Sequence, residues 1–69
     1  MDPKDATKLR VFPGPEGWEV DASDDNDNYT EECWTHWNGA PMTKEQAIHA
    51  AVDFGQYIGK ADLPLQITE

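Results

Sequence analysis

Only one stretch of this chain has the spacing of a helix. Thr43 followed three residues later by Gln46 is a capping box, in which each side chain satisfies the other residue's backbone N–H. Met42 stands where a hydrophobic staple onto Ala47 would close the entry. Ala47, Ala51, Phe54 and Ile58 then recur at helical spacing, flanked by Ile48, Ala50, Gly55 and Tyr57, while Glu45, His49, Asp53, Gln56 and Lys60 fall on the far side. Gly59 supplies a stop, because glycine takes up the left-handed conformation that ends a helix. A single apolar stripe needs a second layer to bury it, and the remainder of the chain has to supply a sheet.

Leu9-Arg10-Val11-Phe12 alternates, and after the turn-rich Pro13-Gly14-Pro15-Glu16-Gly17 the alternation resumes at Trp18-Glu19-Val20. Together these predict a hairpin with a loop of about five residues. Asp21 to Asn28 reads DASDDNDN, a run of residues that favour Asx-turns and predict a loop. Tyr29 to Trp37 alternates again and predicts a third strand, ended by Asn38-Gly39. Leu63, Leu65 and Ile67 alternate with Pro64, Gln66 and Thr68, which predicts an edge strand, since Pro64 cannot donate to a ladder. The expected fold class is α+β in the order β-β-β-α-β, a small antiparallel sheet with one helix packed on one face. Leu9, Val11, Trp18, Val20, Leu65 and Ile67 are expected to meet the helix stripe, with the second face of the sheet left open. Residues 1–7 are polar and read as a flexible N-terminal arm, leaving 8–69 as a single small acidic domain.

A chain of 69 residues buries little of its surface, so the core must be thin. Cys33 is the only cysteine and no internal disulfide can brace it, which points to a reducing, cytoplasmic compartment. The start shows no basic segment followed by an apolar one, and no apolar run approaches the length of a membrane span. With 14 acidic residues against 5 basic ones, the formal net charge is −9. Phosphate backbones and anionic lipid surfaces would be repelled, so direct nucleic-acid and membrane binding are disfavoured and basic partners favoured.

The Gly17-Trp18-Glu19-Val20 strand, the Thr43-Lys44-Glu45-Gln46-Ala47-Ile48 helix start with Ala51, and Val11, Pro13, Leu63 and Leu65 form a pattern. It resembles a family of short bacterial and phage proteins of unknown function. The outline is also similar to HicB-type antitoxins and to small acidic podoviral inhibitors of RNA polymerase. The resemblance covers most of the chain but implies a fold and no catalytic residue, and residues 21–40 depart from it.

The acidic residues are not spread evenly. Glu16, Glu19, Asp21, Asp24, Asp25, Asp27, Glu31 and Glu32 lie in one segment, and no Lys or Arg occurs between Arg10 and Lys44. Along an extended strand, residues two apart are separated by about 6.6 to 6.8 Å. That is close to the interval of successive phosphates, so such a segment can occupy a groove of Lys and Arg built for nucleic acid. A solvated acidic loop that only keeps the protein soluble has the same composition. Asp21, Ser23, Asp25, Asp27 and Glu32 also fall in an EF-hand-like register, with Asn26 in place of the usual glycine and strands in place of the flanking helices. Trp34 and Trp37 cannot share one face of a regular strand, so one of them must turn away from the helix, to form a contact surface or dimer seam or to be covered by a bulge or loop. Cys33 and His36 are three apart on a strand, poor geometry for a shared metal, and the neighbouring Glu31 and Glu32 disfavour a thiolate nucleophile.

The expectation is a non-enzymatic binding protein without a cofactor or metal, of the phage or mobile-element inhibitor kind. It would occlude a basic nucleic-acid-binding groove of a host protein, such as a CRISPR effector or polymerase, in the manner of a DNA mimic. The eight carboxylates would supply charge and Trp34 or Trp37 an apolar anchor, with a homodimer possible. The alternatives are a toxin-neutralising or regulatory module that binds through its sheet edge and tryptophans, and a calcium-binding module.

Overall fold

A computed structural model describes residues 1–69. After a 3-10 turn at Pro3–Asp5 come strands β1 (Lys8–Pro13) and β2 (Trp18–Ser23), the short strands β3 (His36–Trp37) and β4 (Ala40–Pro41), helix α1 (Lys44–Tyr57) and strand β5 (Leu65–Ile67). The fold is α+β, with α1 covering one face of a three-stranded sheet of order β2-β1-β5.

β1 and β2 form the expected antiparallel hairpin, closed by the Gly14 N–H donating to the Gly17 carbonyl. Its register pairs Val11 with Val20 and Leu9 with Ala22, and these four are buried under the helix. Arg10 opposite Asp21 and Phe12 opposite Glu19 therefore lie on the other face. Gly17 has a packing reason to be glycine. A Cβ there would come within 2.8 Å of the Met42 carbonyl, which accepts the Trp18 N–H.

Both halves of the Thr43–Gln46 capping box are present at the start of α1. At the other end Gly59 has φ 77°, its N–H donates to the Gln56 carbonyl, and the Lys60 N–H donates to the Gly55 carbonyl. That pair of bonds is a Schellman motif, which satisfies carbonyls that the helix leaves open. Ala47, Ala50, Ala51 and Phe54 pack with Met42 on Leu9, Val11, Val20 and Ala22. Alanines at the contact let helix and sheet approach closely, and Phe54 is the one aromatic ring fully buried between them.

Several expectations need correction. The sheet is mixed, because β5 joins β1 in parallel, Leu9 opposite Leu65 and Val11 opposite Ile67. The helix packs over β1 and β2, so Leu65 and Ile67 stay 40% and 41% exposed, whereas Trp18, partly buried, packs against the core as expected. The loop begins at Asp24, since Asp21, Ala22 and Ser23 complete β2.

The continuous third strand is the largest departure. Residues 29–34 run beside β2 through isolated bridges, Ser23 with Tyr29 and Val20 with Trp34, and only His36–Trp37 forms a strand, paired with Ala40–Pro41. The cause is Thr30. Its hydroxyl accepts from the Ala22 N–H and donates to the Glu32 carbonyl, standing in for a backbone group of the ladder and kinking the segment. Asn38 and Gly39, at φ 52° and 80°, make the β3–β4 connection with the two positive φ values of a type I′ turn. Residues 1–7, expected as a flexible arm, are held against the sheet by buried Ala6 and by the Thr7 N–H donating to the Ser23 carbonyl.

Candidate functional site: an acidic edge

The irregular segment 29–34 follows the outer side of β2, with Glu16 at one end of the strand and Asp24 to Asp27 at the other. The carboxylates singled out in the sequence are thus strung along one edge of the sheet, over a strand that is about 20 Å long at 3.4 Å per residue. They are not equivalent. Glu16, Asp25, Asp27, Glu31 and Glu32 are exposed, and Glu19 and Asp24 are partly so. Asp21 is withdrawn from this set.

Asp21 is only 5% exposed and both of its oxygens accept from Arg10, Oδ1 from Nε at 2.7 Å and Oδ2 from Nη2 at 2.6 Å. This fork-to-fork geometry is the strong form of an ion pair, and it holds the Arg10 guanidinium further above its ordinary range. The guanidinium also lies 3.9 Å from the centre of the Tyr29 ring and 4.6 Å from that of Phe12. The cluster occupies the face away from α1, so that face is not fully open. Once the hairpin is in register Arg10 and Asp21 face each other, and that cross-strand parity was the available signal for the pair.

Asp24 organises the loop. Its Oδ1 accepts the N–H groups of Asn26 and Asn28 and its Oδ2 accepts from the Asn28 amide, which holds its pKa below the usual carboxylate range. Asp27, at φ 60°, projects from the turn so formed, and Asp25 accepts from the Thr7 hydroxyl at 2.9 Å. Glu32 lies beside the Tyr57 phenol and raises its pKa.

The two tryptophans separate cleanly. Trp34 lies on the helix side, edge-on to Phe54 with ring centres 5.1 Å apart and tilted against Tyr57. Trp37, on the β3–β4 hairpin, is the exposed one at 37%. Cys33 and His36 are not brought together. The Cys33 thiol faces Glu19 Oε1 at 3.5 Å, and its pKa is pushed up to about 11, first by burial and then by Glu19. Glu31 and Glu32, the neighbours in sequence, are not the cause. His36 has Nδ1 2.8 Å from the Thr35 hydroxyl and Nε2 3.6 Å from Glu16. These residues border a shallow recess with Pro15, Gly17 and Glu19, which sequence reasoning did not foresee because it depends on how β3 folds back.

The calcium register is not assembled. Asp21, which would be its first ligand, is committed to Arg10, and no three His, Cys, Asp or Glu side chains are grouped to hold a metal ion. No helix is long and apolar enough to cross a membrane. The resemblance outlined by Gly17–Val20 and Thr43–Ala51 rests on those residues, for no protein-family model, curated protein or solved structure matches the chain.

Proposed function

We propose that the chain is a small acidic binding protein whose β2 edge occupies a basic, nucleic-acid-binding groove of a protein partner, as an inhibitor of the phage or mobile-element kind. One observation carries this reading. Arg10 is consumed by Asp21, and Glu16, Asp25, Asp27, Glu31 and Glu32 face solvent with no Lys or Arg paired to any of them, Glu16 having only His36 at 3.6 Å. A surface of one sign steers an oppositely charged groove at low ionic strength and loses that advantage as salt screens it. Trp37 would add an apolar contact next to the charge.

The test is capture of partners at about 50 and 500 mM salt, on scales where the Debye length falls from roughly 14 to 4 Å. The captured partner should be a nucleic-acid-handling protein, should be displaced by its own DNA or RNA, and should be lost with the combined Asp25→Asn, Asp27→Asn and Glu31→Gln changes. A partner that nucleic acid does not displace would sink the proposal. Exposed Trp37 supports a second reading, a toxin-neutralising or regulatory module binding mainly through apolar contact. There the affinity would survive high salt and fall with Trp37→Ala.

A further inference from the structure

The opposite edge of the sheet has the reverse character. β5 receives its bonds from β1 through alternate residues, the Leu9 N–H donating to the Pro64 carbonyl and the Thr68 N–H to the Val11 carbonyl. In a strand each residue's N–H and C=O point the same way and successive residues alternate. The backbone groups of Leu65 and Ile67 therefore point outward and have no partner strand. Pro64 faces inward and does not guard this edge, and residues 63–68 carry no charge. Edge strands of soluble proteins are ordinarily shielded by charge, proline or a bulge. Here none of these protects the outward positions.

One flank of α1 adds apolar side chains on this side of the molecule. Lys44 pairs with Glu69, and Ile48 and Val52 follow Lys44 at i+4 and i+8, so this flank of α1 is turned toward β5. Val52, on that flank, is 57% exposed.

We infer that this edge pairs with β5 of a second copy in antiparallel fashion about a two-fold axis through Gln66. The register follows from the free groups. Leu65 and Ile67 of one protomer would exchange N–H and C=O bonds with Ile67 and Leu65 of its partner, making four bonds, and every outward group of β5 is used. Leu65 comes directly opposite Ile67 of the partner subunit on the helix side, where the two are 40% and 41% exposed in the monomer. A surface that complements itself in this way closes as a dimer. Charge favours this occupant too, because the acidic edges lie on the outer flanks of the joined six-stranded sheet and the neutral edges meet. This inference is independent of the proposed function and uses none of its residues.

Sedimentation velocity from about 10 to 500 μM protein tests it, at low and high salt. A monomer–dimer equilibrium is expected that tightens with added salt, since two chains of charge −9 repel at long range. Leu65→Lys, at a side chain already exposed, should weaken the dimer at least tenfold while leaving the circular dichroism unchanged. Ile67→Pro removes an outward N–H that the monomer does not use and should do the same. A protein monomeric at every concentration and salt, whether or not a foreign strand binds the edge, overturns the inference. So does a dimer that tolerates both substitutions, or assembly beyond two copies.

Discussion

Arg10 sits between a carboxylate and two aromatic rings on the face of the sheet that has no helix. Asp21 is buried and Arg10 largely withdrawn from water, so removing one strands the other. Arg10→Leu should cost stability near the low end of the roughly 3–5 kcal/mol associated with breaking a buried pair, because the guanidinium keeps some solvent contact. Replacing both with leucine should recover most of that loss, and urea unfolding of the two variants would decide it. Cys33 gives a second residue-scale expectation. Its thiol keeps the proton until about pH 11 in the fold, against an ordinary value of 9.0. The raised value means that the associated stability is intact below pH 9 and is lost as pH rises toward 11. At pH 9 native Cys33 should react with iodoacetamide about 50-fold more slowly than the unfolded chain, from the difference in thiolate fraction. Equal rates would show that burial and Glu19 do not protect it.

Among the elements, α1 is held at both ends by local bonds. Thr43→Ala removes one half of the capping box and should cost about 1 kcal/mol, and Gly59→Ala about 1–2 kcal/mol for the left-handed backbone. Thermal melts should show both as separate losses that add. These features were legible in the sequence because caps and 3.6-residue spacing are local, as were the Leu9–Val20 hairpin and its glycine-rich turn. What escaped depended on contacts between distant residues. The alternation of Tyr29 to Trp37 matches a strand, yet the hydroxyl of Thr30 competes for the ladder against β2, and only the folded register reveals that competition. The apolar periodicity of Leu65 and Ile67 marked a strand but gave neither its direction nor the reach of the helix above it. The acidic segment was legible as charge. The withdrawal of Asp21 from it was not, because that required pairing Arg10 with a residue eleven positions away.

On the scale of the whole molecule, the sheet separates its properties sideways, with carboxylates along β2 and neutral apolar groups along β5. On the two proposals above, salt should act on the edges in opposite senses, weakening the grip of a basic partner on β2 and strengthening pairing through β5. Small size makes all of this depend on a thin core. Phe54→Ala, at the centre of that core, should cost about 3–5 kcal/mol, enough to populate the unfolded chain at room temperature as read by tryptophan fluorescence. Arg10 has one more consequence. It is the sole arginine, and its strand is bonded on both sides, to β2 and to β5. An arginine-specific protease cannot draw the Arg10–Val11 bond into its cleft unless the central strand leaves the sheet altogether. When reclosing outpaces cutting, the rate of that single cleavage measures how often the whole molecule opens.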